Sequence, residues 1–235
     1  MINPKARSAI RFLFLLLFSA AWVPAASAQL HYTISDTVAT LTVYGTSTLH
    51  DWSMTSKHLM GHAEFDTASN FQLTALPSLT VMVPILNLKS DNAEMDKNAY
   101  ATLKARQFNH VFFKLTSATI TPADTNAIQN AALLHVIKGI DTTTDTTADT
   151  TFVTIDTSEY SIVARGYLAI AGVTKPAILH CTARVNWDGS ISVGGTTTLN
   201  MTDFGITPPT FMLGAMKTGT VVTINFALMF VRKNS

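Results

Sequence analysis

The stretch GYLAIAGVTKPAIL, residues Gly166–Leu179, contains two apolar segments that a short turn separates. Gly172 lies between the segments, and Pro176 opens the second one. Glycine readily adopts the backbone conformations of tight turns, so Ala171–Lys175 is predicted to form the loop of a β-hairpin. The flanking segments predict the strands Tyr160–Ile170 and Ala177–Trp187.

Apolar and polar residues alternate with a period of two through most of the remaining chain. Ala39, Leu41 and Val43, for example, alternate with threonine and tyrosine residues, a pattern typical of a strand with one buried face. About nine such strands in succession predict an all-β protein, either a barrel or a sandwich. The other predicted strands are Leu79–Ile85, Trp52–Phe65, His110–Ile120, Leu133–Ile137, Ser190–Met201 and Thr220–Val231.

The last predicted strand is apolar on both faces, with Phe226, Leu228 and Phe230 on one side and Ala227, Met229 and Val231 on the other. A strand of this kind needs an apolar neighbour against each face. In a closed barrel the inner face would meet a core or a ligand, and the outer face would meet a helix or a dimer partner. Homodimerisation through the outer face therefore stays open.

One segment, Asp91–Lys104, predicts a helix. Asp91 and Glu94 have the spacing of a capping box, and Met95 and Ala99 would share one face of the helix. Two roles are open for this helix: a surface helix that covers the end of the sheet, or a lid over the mouth of a cavity.

The N-terminal segment has the organisation of a secretory signal. Three basic residues precede an apolar run, residues 12–23, and Ala26 and Ala28 fit the small-residue rule for cleavage. The run is shorter than the roughly 20 residues needed to span a bilayer. Residues 1–28 are therefore predicted to be a cleaved signal peptide. The mature protein is expected in the periplasm or outside the cell, without a stable membrane anchor.

Charge and composition exclude several classes of protein. The chain has 16 Lys and Arg residues against 15 Asp and Glu residues. The predicted signal peptide removes three basic residues and no acidic one, which leaves 13 against 15 and a formal charge of −2. This balance argues against nucleic-acid binding, and a hydrophobic fraction of 47% argues against disorder. Cys181 is the single cysteine, so an intrachain disulfide is excluded.

A Thr/Asp-rich stretch, DTTTDTTADTT at residues 141–151, interrupts the strand pattern. It has no apolar face to bury and is predicted to be an exposed insertion. The same alternation of apolar and polar residues is found before and after this stretch, so the stretch is not a domain boundary. Residues 29–235 are therefore predicted to form one domain.

Four stretches, taken in chain order, resemble the YceI-like family of secreted lipid-binding proteins. The hairpin with its Gly-x-Thr-Lys-Pro turn is the most specific of them. The four are YTIS at Tyr32–Ser35, MDKNAYATLKARQFNHVFFKL at Met95–Leu115, the hairpin Gly166–Leu179 and TTTLNMTDFGI at Thr196–Ile206. The resemblance implies a lipocalin-like, up-and-down antiparallel β-barrel of about eight strands, with one helix near the barrel mouth and a long apolar channel inside.

The resemblance also implies a function without catalysis, cofactor or covalent step. Family members hold polyisoprenoid chains or related long amphiphiles, so this chain is expected to bind one polyisoprenoid or fatty lipid for transport, storage or sequestration. A barrel of about eight strands has room for a slender ligand when its interior side chains are small enough. The residue pattern leaves the ligand and its delivery partner unidentified.

Phenylalanine and methionine are adaptable wall material for an apolar channel. The candidate wall residues are Phe108, Phe112, Phe204, Phe211, Met212, Phe226 and Met229. Near the predicted mouth, Tyr100, Lys104 and Arg106 are candidates to contact a polar head group. The pattern alone fits equally well with ordinary core residues in the first set and with a solvated surface for Lys104 and Arg106.

Two other functions stay open. A secreted structural or adhesive β-module would have an interior that its own side chains fill. A metal-dependent hydrolase would rest on the local cluster His50, Asp51, His58 and His62. In an extended chain His58 and His62 lie roughly 13 Å apart, too far for one zinc ion unless a cross-strand histidine contributes. The sequence contains no G-x-S-x-G, glycine-rich phosphate loop or H-E-x-x-H.

Overall fold

A computed structural model describes residues 30–67, 72–123, 159–211 and 216–233. The predicted signal peptide, the Thr/Asp-rich insertion and the predicted strand Leu133–Ile137 lie outside these ranges. The strands are β1 Leu30–Ile34, β2 Thr40–Ser47, β3 Trp52–Ser56, β4 Met60–Thr67, β5 Leu73–Pro84, β6 His110–Pro122, β7 Glu159–Ile170, β8 Val173–Val185, β9 Ile191–Asn200, β10 Thr210–Phe211 and β11 Met216–Arg232. The α-helix, α1, is Ala93–Thr102, and the 3-10 turns are Ile85–Asn87 and Met201–Phe204.

Eight strands close into an antiparallel β-barrel in the order β1, β4, β5, β6, β7, β8, β9 and β11. Pairing of Tyr32 with Arg232 and of Ile34 with Phe230 joins β1 to β11 and completes the ring. The predicted all-β barrel with one helix near its mouth is thereby confirmed for the described residues. Closure also removes the free edge strands that an open sheet would leave.

The long strand β11 has different partners along one of its edges. Its end pairs with β1, whereas residues such as Ile224 and Phe226 pair with Val43 and Leu41 of β2. The hairpin of β2 and β3 therefore extends the barrel wall at the end where α1 lies. An isolated bridge between Thr55 and Lys89 ties β3 to the segment that leads into α1.

The hairpin of β7 and β8 has a tighter turn than the sequence suggests. Ile170 pairs with Val173, so the loop consists of Ala171 and Gly172, with φ values of 50° and 85°. Positive φ at both positions is the geometry of the two-residue turns whose twist matches that of the flanking strands. A side chain at Gly172 would also collide with the ring of Phe108. The predicted hairpin is confirmed, with a loop of two residues.

The helix begins later than predicted because Asn92, rather than Asp91, caps it. The Asn92 side-chain oxygen accepts hydrogen bonds from the backbone N–H groups of Glu94 and Met95, at 2.9 and 3.1 Å. This arrangement satisfies two of the free donors of the first turn. The predicted capping box is wrong, since the Glu94 carboxylate instead lies 3.8 Å from the ammonium group of Lys97.

The predicted strand Trp52–Phe65 is two strands, and this part of the prediction is wrong. Residues 57–59 separate β3 from β4, and the Ser56 hydroxyl donates a hydrogen bond to the backbone oxygen of His58 at 3.1 Å. Leu59 is fully buried in the core. The buried leucine and the local side-chain hydrogen bond stabilise the interruption between β3 and β4. The period-two alternation of the sequence continues through this segment and gives no sign of the interruption.

Three aromatic rings pack together at the end of the barrel opposite α1. Phe65 lies edge-on to Tyr32 on one side and to Phe230 on the other, with ring centroids 5.3 and 5.5 Å apart. These distances are typical of favourable aromatic pairs. In β11 the buried residues Leu228 and Phe230 face inward, and Ala227 is exposed on the outer face. Within the described ranges, no helix has the length and apolar character needed to cross a bilayer.

Candidate functional site

A cavity of about 330 Å³ lies at the helix end of the barrel, and we call it the outer chamber. Its wall combines the β2–β3 hairpin, the underside of α1, the segment after β9 and the start of β11. Apolar residues form nearly all of this wall. They include Val43, Trp52, Met54, Met95, Ala99, Leu103, Met201, Phe204, Ile206, Pro209 and Val222.

A second cavity of about 110 Å³ lies deeper in the barrel, and we call it the inner chamber. Inward residues of the closed sheet line it, and Thr197 is the only polar residue among those described there. The others include Leu59, Phe65, Leu76, Leu79, Val81, Phe113, Ile162, Ala164, Leu168, Leu179, Cys181, Val193, Phe226, Leu228 and Phe230.

Six residues line both chambers, and each comes from a different strand. They form a ring of aliphatic side chains at the junction: Leu41, Val83, Val111, Ile170, Leu199 and Ile224. The ring links the two spaces into one site that extends from α1 into the barrel. Its branched side chains can interdigitate with a slender apolar chain but offer no hydrogen bond to a polar one.

The floor below the inner chamber is closed by aromatic residues and one buried hydrogen bond. Tyr160 is only 2% exposed, and its hydroxyl accepts a hydrogen bond from the backbone N–H of Leu73 at 3.1 Å. This bond joins the start of β7 to the start of β5, the two strands that flank β6. The Tyr32, Phe65 and Phe230 rings occupy the same end, so the site is a cup with its mouth beneath α1.

A buried carboxylate holds α1 over the mouth. Asp96 accepts hydrogen bonds from the backbone N–H and the hydroxyl of Ser90, both at 2.7 Å, and lies 3.7 Å from the Lys89 ammonium group. Burial by itself would raise the pKa of Asp96, but these hydrogen bonds and the Lys89 charge lower it below its ordinary value. Asp96 therefore positions the helix and does not line the chambers.

Tyr100 also fastens the helix. Its hydroxyl lies 2.7 Å from the backbone oxygen of Leu88 and 3.1 Å from that of Leu86, and it donates to these carbonyls. The Lys89 ammonium group lies 5.1 Å from the centre of the Tyr100 ring, within range of a cation–π contact. Tyr100, nominated for a head group, is thus occupied by contacts that hold α1 against the segment after β5.

The mouth carries a few polar side chains and little charge. Asn98 and Thr102 lie four residues apart on the underside of α1, facing the hairpin that contributes Ser47 and His50. The described residues that line the outer chamber include no lysine or arginine, and Glu94 is the only carboxylic acid among them. The arrangement can form hydrogen bonds with a small polar group at the mouth and bury an apolar group below it.

The structure places the nominated wall residues in different environments. Phe204 lies on the wall of the outer chamber and Phe226 on that of the inner one. Met229 lies on the outer face of β11, between the inward residues Leu228 and Phe230. Phe112 alternates in the same way with the inward Phe113, which lines the inner chamber.

The remaining nominated residues lie outside the two chambers or cannot be placed. Phe108 is 38% exposed and covers Gly172 at the tip of the β7–β8 turn. Lys104 and Arg106 are exposed and do not line either chamber. The side chain of Phe211 and the whole of Met212 lie outside the described part of the chain.

Sequence reasoning missed the contribution of the β2–β3 hairpin. Trp52 of β3 lines the outer chamber, and its indole N–H donates a hydrogen bond to the backbone oxygen of Thr46 at 3.1 Å. Gly45 lies directly opposite Trp52 and leaves space for the indole. The sequence contains a pattern that could have indicated this contribution, since Gly45 and Trp52 flank the short loop of the hairpin. A glycine opposite a tryptophan allows the aromatic ring to lie against a backbone that has no side chain.

Cys181 lies on the wall of the inner chamber and is buried. Burial raises the pKa of its thiol to about 11, so the group is protonated at neutral pH. The described residues contain no group of three or more His, Cys, Asp or Glu side chains that could hold a metal ion. His58 and His62 are both exposed, and His135 lies outside the described ranges.

Comparisons with solved structures show the same fold. A polyisoprenoid binding domain from Saccharophagus degradans, implicated in plant cell wall breakdown, has a TM-score of 0.57 at 10% identity and covers 87% of this chain and 99% of its own. BcnA from Burkholderia cenocepacia has a TM-score of 0.55 at 12% identity and covers 83% of this chain and 98% of its own. No curated protein sequence matches the chain.

A family comparison extends over nearly the whole barrel. The YceI-like domain matches residues 23–230, a range that includes the described strands β1 to β9 and almost all of β11. The match thus covers nearly the whole closed sheet and the helix at its mouth. The chain belongs to the YceI-like domain family.

Proposed function

We propose that the barrel binds one amphiphilic molecule with a long apolar tail, an isoprenoid or a fatty lipid, and holds it for transport, storage or sequestration. The observation that carries this proposal is the apolar outer chamber of about 330 Å³, which adjoins a second chamber and has its mouth beneath α1. Its size falls within the range of pockets that bind small molecules. A purely structural module would gain stability from filling this space with side chains.

The energetics fit a carrier that works by burial and release. Each methylene of the tail that is removed from water contributes roughly 0.8 kcal/mol to the binding free energy. The loss of conformational freedom of the ligand offsets part of this gain. The polar side chains at the mouth would orient the ligand. No covalent step is needed, and the protonated thiol of Cys181 is a poor nucleophile.

The fold comparison supports the same ligand chemistry. The domain from Saccharophagus degradans is described as polyisoprenoid binding, and it shares the closed barrel with this chain. For this chain the proposal rests on its own chambers. The proposed location is the periplasm or the outside of the cell, because residues 1–28 have the pattern of a signal peptide. Cell fractionation, with the mass of the mature N-terminus, tests that location.

The direct test is mass spectrometry of an organic-solvent extract from protein purified without detergent. We expect one prenyl or acyl species at stoichiometric amount. The matched variants are Ala99→Phe, which fills the outer chamber from the underside of α1, and Ala101→Phe, which changes an exposed position of the same helix. Occupancy should fall in the first variant and stay unchanged in the second.

An extract without lipid, even after the protein is incubated with lipids of its host, would overturn the carrier function. Equal occupancy in both alanine variants would instead show that the lipid binds elsewhere on the protein. Circular dichroism of both variants checks that the barrel remains folded.

A further inference from the structure

The charge at the mouth limits the head groups that the site can hold. The outer-chamber lining contains neither lysine nor arginine among the described residues, and it includes the acidic residue Glu94, whose side chain is 69% exposed. Two cations of this region have acidic neighbours: Lys97 lies 3.8 Å from Glu94, and Lys89 lies 3.7 Å from Asp96. A carboxylate or phosphate drawn into the mouth would lose hydration without gaining a lysine or arginine partner from the described lining.

The polar groups that do line the mouth suit an uncharged head. Asn98 offers an amide, and Thr102, one turn further along α1, offers a hydroxyl. Both groups donate and accept hydrogen bonds. An alcohol, an amide or an ester can replace its hydrogen bonds to water by hydrogen bonds to these two side chains. No charge is then buried without a partner.

The closed floor limits the length of the tail. The chambers have volumes of about 330 and 110 Å³. Together they form one apolar space of limited depth, so only a tail up to a certain length can be buried completely. Below them, the edge-on rings of Phe65 and Phe230 and the bond between Tyr160 and Leu73 close the barrel.

We propose that the ligand of this barrel is a single-chain amphiphile with an uncharged head group and an apolar tail that the two chambers enclose. The ring of Leu41, Val83, Val111, Ile170, Leu199 and Ile224 encloses the middle of the tail, and Asn98 and Thr102 bind the head. This assignment rests on the proposed carrier function and specifies the class of molecule that the barrel carries.

The head-group test is a calorimetric titration with four probes of equal tail length, each below its critical micelle concentration: dodecanol, dodecanamide, dodecanoate and dodecyl phosphate. We expect the two neutral probes to bind at least tenfold more tightly than the two anions at neutral pH. Tighter binding of either anion would overturn the head-group assignment and leave the carrier function intact. Failure of all four probes to bind would overturn both.

Glu94→Gln provides a second head-group measurement. Removal of this carboxylate should reduce the preference for the alcohol over dodecanoate at least threefold, because the repulsion at the mouth is lost. Asp91→Asn is the matched control, since Asp91 is exposed and does not line the chamber. Equal effects of the two substitutions would contradict a role for charge at the mouth.

The tail-length test uses straight-chain alcohols from ten to twenty carbons. Affinity should rise about fourfold at most with each added methylene, which corresponds to full burial, and should stop rising within this range, at the length that fills both chambers. Ala164→Leu narrows the inner chamber and should move this limit to a shorter tail, whereas Val163→Leu on the outer face should not. Thr197→Leu fills the same chamber and replaces Ala164→Leu if that variant does not fold.

Affinity that still rises up to twenty carbons would overturn the length limit. The length limit would also be overturned if affinity stopped rising at the same tail length in the wild type, Ala164→Leu and Thr197→Leu. Either result, with tight binding of shorter alcohols, would leave the carrier function standing.

Discussion

Gly45 and Trp52 are paired directly across β2 and β3, and a Cβ atom added to Gly45 would overlap the indole ring of Trp52. The absence of a side chain at one position thus allows the aromatic ring at the other to lie against the strand and line the outer chamber. The shape of the outer chamber at this point therefore depends on a glycine in the backbone of the hairpin.

Gly45→Ala is expected to destabilise the protein by about 1 to 3 kcal/mol, since the indole must leave its place in a packed wall. Chemical denaturation measures this change. The control is Gly194→Ala, where the nearest atom to a new Cβ is the Phe226 backbone oxygen at 3.5 Å, an ordinary contact. There we expect a change of less than about 1 kcal/mol. A neutral Gly45→Ala would contradict the packing of this pair.

Asp96→Asn is expected to lower the free energy of unfolding by about 2 kcal/mol at neutral pH, because Ser90 then donates to a neutral group. The folded pKa of Asp96 lies below its ordinary value of 3.8. The stabilisation is therefore fully present above that value and is lost as the pH falls through the folded pKa.

The measurement is urea denaturation of the wild type and the variant between pH 2 and 7. The difference between the two proteins should shrink as the pH falls below about 4. Asp91→Asn, an exposed substitution beside the same helix, serves as the control and should change little at any pH. A difference that does not depend on pH would show that Asp96 acts without its charge.

Tyr160→Phe is expected to destabilise the barrel by about 1 to 3 kcal/mol, because the buried backbone N–H of Leu73 loses its partner. Tyr167→Phe removes a hydroxyl from the same strand at a residue that is 52% exposed, and it should be nearly neutral. Thermal unfolding of both variants compares the two hydroxyls. Equal melting temperatures would argue against the hydrogen bond at the floor.

Alkylation of Cys181 by iodoacetamide should be slow in the folded protein. Its thiol pKa is raised from 9.0 to about 11 by burial, so the reactive thiolate is roughly a hundredfold less abundant at pH 8. In guanidinium chloride the thiol should react at an ordinary rate. Mass spectrometry of the time course measures both rates, and similar values would mean that the inner chamber admits the reagent freely.

Most of the strands, the β7–β8 hairpin and the position of the single helix could be predicted from local patterns. The alternation of apolar and polar residues indicates which positions of a strand share a face, and a glycine between two apolar segments indicates a turn. The same reasoning could not choose between the two faces of β11, since both are apolar. Phe226 and Met229 were nominated together, and the structure places them on opposite faces.

The sequence by itself determined that this chain is an all-β protein with one helix, because turns, caps and alternation depend on residues close together in the chain. Only the tertiary structure decided which apolar face lines the interior, that the β2–β3 hairpin builds the mouth and how large the chambers are. These features depend on closure of the ring by β1 and β11, which lie at opposite ends of the described chain. Their packing sets the space left inside.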